Sequence, residues 1–318
     1  MQLFNKINLL FMLIISIIMS LSMKSFILIW VFMEIGTMIF IYLMNVENYS
    51  HSTISLKYFI TQSFISMMMI ILYFLLNEQT LISKEIIITC LTAWKLGVPP
   101  FQGWFMNIIM DSSWFIFLIM STFMKILPFL IISIYFTKIT LGLALLSILA
   151  PAISGVSHLC IKKIMGTSSM FTSGWVMLSM LSSKEVWIMV FAVYSMMMLV
   201  FCMSVNSQNM ISVDSAISLS ASDSFIMFFV LLSLSGIPPM SGFFMKIYIL
   251  IIILYSKLAF LSLFVVAFSS LSIYMYIKTI FKYMTLNLVD YSFTFDKSPG
   301  FKLFLILNLL SGLILLLI

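Results

Sequence analysis

The sequence predicts an all-α polytopic membrane protein of about 11 transmembrane helices. Hydrophobic residues make up 63% of its 318 residues and charged residues only 8%, whereas a soluble domain has about 25% charged residues. The apolar residues fall into segments of about 20 residues, which is the length that crosses a bilayer. The connections between these segments are mostly short. No part of the chain is therefore expected to form a separate soluble domain.

Eleven apolar segments are expected to cross the membrane. They are residues 7–23, 25–45, 54–77, 82–109, 113–137, 139–160, 166–183, 186–206, 223–256, 258–281 and 301–318. The first segment follows Lys6 as a signal peptide would, but no small-residue cleavage site comes after it, so we expect it to be retained. Gly142, Pro151, Gly155 and Gly166 are expected to interrupt the sixth and seventh segments.

The basic excess of the chain is interpreted as loop charge that sets its orientation. The chain has a net charge of +6 and no arginine, and its lysines are scattered between apolar runs, which is unlike a nucleic-acid-binding patch. Eight lysines fall on the N-terminal side of the predicted spans: Lys6, Lys57, Lys162, Lys163, Lys278, Lys282, Lys297 and Lys302. Five fall on the other side: Lys24, Lys84, Lys138, Lys184 and Lys257. The excess predicts that the N-terminus lies inside.

The sequence contains no motif for a metal, a haem or a nucleotide. Cys90, Cys160 and Cys202 are far apart and form no CxxC pair, which argues against a zinc or iron–sulfur site. His51 and His158 fall at predicted helix ends, so they do not make a haem pair at mid-membrane. Neither GxGxxG nor GxxxxGK[ST] occurs. Any redox chemistry connected with this chain is therefore expected on other chains.

A nine-residue motif occurs twice, each time inside a long apolar run. Residues 97–105 and 236–244 both read Gly-x-Pro-Pro-x-x-Gly-aromatic-Phe. The run 223–256 would span about 50 Å as one straight helix, against a bilayer core of about 30 Å. The prolines remove amide donors, and the glycines let the backbone unwind. The residues predicted to break the two helices are Gly97, Pro99, Pro100, Gly236, Pro238 and Pro239.

The two motif copies predict an internal inverted repeat. They lie in the fourth and ninth predicted spans, which run in opposite directions, as the broken helices of many secondary transporters do. Unwound backbone at membrane depth is tolerated only where it is buried or faces water. The predicted organisation is a first five-helix repeat at 1–137, a second at 138–284, and a C-terminal loop and helix at 285–318. The alternative to an inverted repeat is that each Pro-Pro pair forms a kink that only helps the helices to pack.

Four charged residues are expected near the middle of the membrane. They are Glu34, Lys95, Lys125 and Lys246, each placed ten or more residues from the charges that mark the span ends. A charge at this depth costs several kcal/mol, and such residues usually line ion or proton paths. A lysine near a helix end would extend to the headgroups instead, but these lie too deep. A purely structural ion pair of Glu34 with Lys95 would explain two of the four.

Buried lysine is suited to proton transfer when its surroundings change. In water its pKa of about 10.4 is too high for release near neutral pH. Desolvation weakens proton binding by a lysine, and a nearby carboxylate strengthens it. A lysine whose acidic partner moves can therefore take up and release a proton. Pro128 removes the helical donor for the carbonyl of Met124, which predicts a polar, water-binding position beside Lys125.

The order of these motifs resembles a known family. The chain shows Glu34, then Leu-Lys-Tyr-Phe-Ile-Thr-Gln at 56–62, Lys-Leu-Gly-Val-Pro-Pro-Phe at 95–101, Lys-Ile-Leu-Pro at 125–128, and Leu-Ser-Gly-Ile-Pro-Pro at 234–239 with Lys246 following. This order resembles the antiporter-like membrane subunits of NADH:ubiquinone oxidoreductase (respiratory complex I), in particular the subunit 2 family. The resemblance covers nearly the whole chain.

The resemblance implies a proton-translocating membrane-arm subunit in the mitochondrial inner membrane. In that membrane the lysine excess predicts the N-terminus on the matrix side, and eleven spans then put the C-terminus on the intermembrane-space side. The resemblance also implies that Glu34 and Lys95 form a charge-coupled pair in the intake half, that Lys125 is the central carrier, and that Lys246 acts in the exit half. FMN, iron–sulfur clusters and ubiquinone would belong to other subunits. Neighbouring antiporter-like subunit 4, small subunit 4L and bound phospholipids are the implied partners.

Two alternatives remain open at the level of sequence. The first is a stand-alone or Mrp-type cation/proton antiporter subunit, which would share the broken helices and lysines. Such subunits usually have additional N-terminal spans, whereas this chain begins with the helix before the one bearing Glu34. The second is a membrane scaffold without transport, against which the four buried charges argue. Relatives often have a histidine in the motif found here at 168–175, and its lack here makes a histidine relay there doubtful.

Overall fold

The computed structural model describes residues 2–47, 52–75, 81–158, 160–182, 186–206, 221–238 and 240–287. Every regular element among them is an α-helix. The predicted span 301–318 and the helix-breaking residue Pro239 lie outside these ranges. The chain divides into two compact units, Met1–Leu143 and Ala144–Ile318. The predicted boundaries of the inverted repeats, 1–137 and 138–284, describe an internal symmetry and not compact units, so they stay a prediction.

The first unit contains seven helices and the start of an eighth. They are α1 Gln2–Ser22, α2 Phe26–Glu47, α3 Ser52–Leu75, α4 Leu81–Leu96, α5 Gly103–Asp111, α6 Trp114–Ser121 and α7 Phe123–Ile134. α1 packs on α2, α2 packs on α3, and α3 packs on α4. α7 contacts α1, α2 and α4. Because α7 touches four helices, α6 among them, and buries most of its side chains, it lies at the centre of this unit.

The second unit continues α8 and adds five helices. The bounds are α8 Lys138–Ser157, α9 Ile161–Ser179, α10 Val186–Asn206, α11 Ala221–Ser235, α12 Ser241–Tyr255 and α13 Ala259–Asn287. α9 is buried along nearly its whole length and packs on α10 and α12. α11 contacts α10, α12 and α13. A helix with no exposed face is a core helix, so α9 lies at the centre of the second unit.

The exterior of the described part is apolar, as a membrane requires. Large hydrophobic side chains are exposed along α1, α3 and α13, for example Phe11, Phe74 and Leu263. Seven helical segments are long and apolar enough to cross a bilayer: α1, α2, α3, Trp114–Ile134, α8, α10 and α13. α4, α11 and α12 are each too short, because the predicted breaks divide their runs. The chain is thus an all-α, multi-pass membrane protein.

The predicted span 113–137 is confirmed as one apolar span, Trp114–Ile134, with an interruption at Thr122 between α6 and α7. Two other details of the predicted helices are wrong. The sixth segment is not interrupted, since α8 continues through Pro151. The seventh predicted segment starts too late: α9 already begins at Ile161, and the polar start of this helix, with Lys162 buried in its first turn, hid it from a search for apolar runs.

Candidate functional site

The first unit contains a buried ion pair between α2 and the end of α4. The Lys95 Nζ lies 2.7 Å from the Glu34 Oε1. The Lys95 side chain is 2% exposed and that of Glu34 19% exposed. Lys95 stands in the last turn of α4, where the negative end of the helix dipole also favours a cation. The helix break therefore places the lysine where both a carboxylate and a helix end stabilise its charge.

The backbone at this break requires glycine. Gly97 has φ +71° and its amide donates to the carbonyl of Trp94 at 3.0 Å. A Cβ at this position would lie 2.8 Å from the Cβ of Phe105, which belongs to α5 on the far side of the break. Both the left-handed conformation and the close approach exclude a larger residue. The predicted break at Gly97, Pro99 and Pro100 coincides with the gap between α4 and α5.

Lys125 is buried in α7, at 3% exposure. Its Nζ lies 5.0 Å from the centre of the Phe105 ring, within the range of a cation–π interaction. The helix is interrupted just before it, because Thr122 has φ −115° and ψ −82°. Pro128 lies one turn after it inside α7. Lys125 is thus held between a helix interruption and a proline, in a stretch where the backbone is irregular.

A cavity joins Lys95 to Lys125 inside the first unit. It has a volume of about 30 Å³, enough to hold a water molecule. Its polar lining comes from α1, α2, α3, α4 and α7: Ser16, Thr37, Tyr58, Gln62, Lys95 and Lys125. Met124 and Pro128 line it as well. Both residues of the predicted water-binding position beside Lys125 thus line a cavity that accommodates water, and water binding by the Met124 carbonyl stays a prediction.

The second unit holds its lysine in a different way. The Lys246 Nζ donates to the carbonyl of Ser235 at 2.5 Å and lies 5.6 Å from the centre of the Phe171 ring. Ser235 is the last residue of α11, so this carbonyl is among those that a helix end leaves without a donor. The ion pairs found among the described side chains join Lys95 to Glu34 and Lys6 to Glu47, and neither includes Lys246. The helix end takes the place of a carboxylate here.

The two motif copies share a glycine conformation and two backbone hydrogen bonds. Gly236 has φ +79°, matching Gly97, and its amide donates to the carbonyl of Ser233 at 3.1 Å. A second turn follows each glycine, because Phe101 donates to Val98 at 2.9 Å in the first copy and Met240 donates to Ile237 at 3.0 Å in the second. The predicted break at Gly236 and Pro238 thus coincides with the gap between α11 and α12.

Sequence reasoning missed part of this site. Tyr58 and Gln62 are buried and line the cavity, and the Gln62 amide donates to the carbonyl of Lys95 at 3.5 Å. Their spacing of four residues in an apolar span puts both on one helix face, and that pattern was available in the sequence. Within the described ranges, no group of three or more His, Cys, Asp or Glu residues is placed to hold a metal.

The comparisons with known proteins agree with this geometry. The profile of the NADH:quinone oxidoreductase/Mrp antiporter transmembrane family matches residues 23–272. NADH-ubiquinone oxidoreductase chain 2 of Anopheles gambiae is 30% identical, with 87% of this chain and 85% of that one covered. The chain 2 protein of Aedes aegypti is 28% identical, with 88% and 86% covered.

Solved structures share the fold. A chain of respiratory complex I from Thermus thermophilus superposes with a TM-score of 0.81 at 15% identity, covering 98% of this chain and 77% of that one. A chain of the Mrp complex from Dietzia sp. gives 0.73 at 14% identity, covering 91% and 62%. These likenesses show the antiporter-like fold. From the profile match and the insect relatives, this chain belongs to the NADH:quinone oxidoreductase/Mrp antiporter transmembrane family and, within it, to the NADH-ubiquinone oxidoreductase chain 2 family.

Proposed function

We propose that this chain translocates protons in the membrane arm of NADH:ubiquinone oxidoreductase, through Glu34, Lys95, Lys125 and Lys246. Its family membership makes it a subunit of that enzyme, as the sequence predicted. The observation that carries the proton-translocating role is a water-sized cavity lined by both Lys125 and Lys95, the partner of Glu34. A purely structural ion pair needs no water-sized space leading from it to a second buried lysine.

The proposed sequence of events starts at the ion pair. While Glu34 stays 2.7 Å from Lys95, the carboxylate stabilises the ammonium form of the lysine. When the carboxylate moves away or becomes protonated, the ammonium loses its partner in a low-dielectric site. Lys95 then releases its proton into the cavity, and Lys125 at the other end accepts it. Return of the carboxylate favours uptake of a new proton by Lys95. One cycle moves one proton once Lys125 has passed its own proton on towards the exit side.

Lys246 is the proposed carrier of the second unit. The carbonyl of Ser235 stabilises its ammonium form, and the break between α11 and α12 exposes that carbonyl. In this proposal each helix break presents a helix end to a lysine. The first break is formed by Gly97, Pro99 and Pro100, and the second by Gly236, Pro238 and Pro239. Pro239 lies outside the described residues.

The remaining features of the proposal follow from the family. The chain is expected to contain two inverted five-helix repeats among about 11 spans, with the N-terminus on the matrix side of the mitochondrial inner membrane. Other subunits of the enzyme are its partners, with subunit 4 and subunit 4L as the proposed neighbours. FMN, iron–sulfur clusters and ubiquinone are assigned to those other subunits, and phospholipids to the apolar exterior.

Replacement of Glu34 by glutamine is expected to lower the proton-to-electron ratio of the enzyme by the whole contribution of this chain. The variant leaves Lys95 buried without its carboxylate, and breaking a buried ion pair in this way costs about 3–5 kcal/mol. Lys95 then favours its neutral form and no longer delivers a proton to the cavity. The measurement is proton uptake per NADH oxidised in proteoliposomes containing the whole complex.

The matched control for this variant is Glu47→Gln. Among the described residues of the first unit, Glu47 forms the other ion pair, with Lys6, whose side chain is 30% exposed against 2% for Lys95. Because water reaches the lysine of this pair, the pair contributes less than a buried one, and the control should pump normally. Equal ratios for wild type, Glu34→Gln and Glu47→Gln would show that the Glu34–Lys95 pair takes no part in transport.

A cation/proton antiporter outside this enzyme is the second candidate function. This second function is favoured by the fold alone, which resembles that of a chain of the Mrp complex. Gentle solubilisation of the native membrane, size separation and an NADH oxidation assay of each band distinguish the two. We expect this chain, identified by mass spectrometry, in a large NADH-oxidising complex. Its recovery in a small complex without that activity would favour the antiporter.

A further inference from the structure

An apolar groove opens on the second unit between α8 and the beginning of α13. Its volume is about 440 Å³, within the range of sites that bind small molecules. Ile148 and Leu149 line it from α8, and Phe260, Phe264 and Phe268 line it from α13. Phe260 is 75% exposed and Phe264 is 42% exposed, so the groove is open on its outer side. Because both helices are long and apolar enough to cross a bilayer, the groove lies within the hydrocarbon layer.

The length of the groove matches one leaflet of a bilayer. Its α13 wall extends from Ala259, the first residue of the helix, to Phe268, which is about 14 Å at a rise of about 1.5 Å per residue. One leaflet contributes about 15 Å to a hydrocarbon core of about 30 Å. Further along both helices, the Met275 sulfur fills the space where a Cβ of Gly155 would lie. The two helices are therefore apart over one leaflet and in contact beyond it.

A lysine lines the groove at its outer end, just before α13 begins. Lys257 has φ +61° and ends α12 in a Schellman motif, in which its amide donates to the carbonyl of Leu254 at 3.0 Å and the amide of Leu258 donates to that of Ile253 at 3.3 Å. Glycine usually takes this left-handed position, because a Cβ is unfavourable there. Neither of the ion pairs found among the described side chains includes Lys257. The backbone does not explain a lysine here, so its side chain is expected to have a use of its own.

The chemistry of the groove fits a phospholipid with a negatively charged headgroup. An acyl chain would fill the apolar length, and the phosphate would lie at the membrane boundary beside the Lys257 ammonium. The first amides of α13 lie at the same end and have no acceptor within their own helix, which also favours an anion. Among the described residues that line the groove, Lys257 is the only charged one, so no carboxylate is present to pair with the ammonium of a zwitterionic headgroup. A membrane helix of a partner would cross both leaflets, whereas the groove extends over one.

We propose that the groove between α8 and α13 binds one anionic phospholipid, with an acyl chain between Ile148 and Phe264 and the phosphate on Lys257. An empty groove would leave the facing side chains without partner atoms, and an acyl chain supplies them. The site goes beyond the proposed proton path, because none of the four charged residues of that path lines it. Its occupation by a lipid does not depend on their role in transport.

The test labels the whole complex in phosphatidylcholine nanodiscs that contain phosphatidylglycerol with a photoactivatable acyl chain. Peptide mass spectrometry should find the label on the groove residues of α8 and α13, and unlabelled phosphatidylglycerol should compete for it better than phosphatidylcholine. Lys257→Gln and Lys257→Gly are each expected to lower this labelling about fivefold, the contribution of one lysine to binding at an anionic membrane surface. Glycine also suits the left-handed backbone, so that variant should fold at least as well as the wild type. Lys24→Gln is the matched control, since Lys24 is an exposed lysine between α1 and α2.

Loss of label in both Lys257 variants, with wild-type labelling of Lys24→Gln, would support the site. Equal labelling of the wild type and both Lys257 variants would show that the lysine does not bind the headgroup, and the proposal would be wrong. An unlabelled groove in the wild type, or cross-links from it to another subunit, would mean that protein covers this surface, which also rejects the lipid. The assay measures binding and not pumping, so a failure of the proposed proton path would leave its result unchanged.

Discussion

The Lys125→Met variant is expected to assemble normally and to lose proton translocation by this chain. Methionine is unbranched and of similar length, so it fills the space of the lysine without its charge. Replacing a buried charge by an apolar side chain of similar volume is often neutral or stabilising, and a lysine at mid-membrane costs about 3 kcal/mol by insertion. The stability of the complex should therefore be unchanged or higher. Proton delivery from the cavity has no acceptor in the variant.

The measurement is the proton-to-electron ratio together with the amount of assembled complex. Lys138→Met is the matched control, because Lys138 is an exposed lysine at the start of α8. We expect wild-type values of both quantities for the control. A Lys125→Met complex that pumps at the wild-type ratio would exclude Lys125 as a carrier. A complex that fails to assemble would instead show that Lys125 has a structural role.

Much of this site was predictable because it depends on local chemistry. Proline and glycine act on the backbone within one turn, so the repeated Gly-x-Pro-Pro motif gave the positions of both breaks. Charges in apolar segments are rare enough that Glu34, Lys95, Lys125 and Lys246 were found from their depth alone. Their roles in transport stay predictions.

The interruption at Thr122 was not predictable in the same way. Residues 114–125 contain no proline or glycine. The break is accompanied by the Thr122 hydroxyl, which donates to the carbonyl of Leu118 at 2.6 Å. A threonine that competes for backbone bonds in this way looks like any other threonine in sequence.

Gly236→Ala is expected to displace Lys246 and to reduce proton translocation as far as Lys246→Met does. A Cβ at this position would lie 2.8 Å from the Lys246 Cδ and 2.9 Å from its Nζ. The φ of +79° adds a cost of about 1–2 kcal/mol for any residue with a Cβ. The lysine must give way, because its side chain is the flexible partner. Its ammonium then loses the carbonyl of Ser235, which lies 2.5 Å away in the wild type.

Gly142→Ala separates this effect from a general intolerance of alanine. Gly142 lies within α8 and a Cβ there would meet nothing within 4 Å, so alanine should stabilise the helix by about 0.5–1 kcal/mol and leave pumping unchanged. Thermal unfolding of the complex measures the stability, and proteoliposomes measure the ratio. If Gly236→Ala lowers the unfolding temperature while the ratio stays at the wild-type value, the helix end only supports the fold. If the ratio falls in Gly236→Ala and not in Gly142→Ala, contact between a broken helix and its lysine is required for transport.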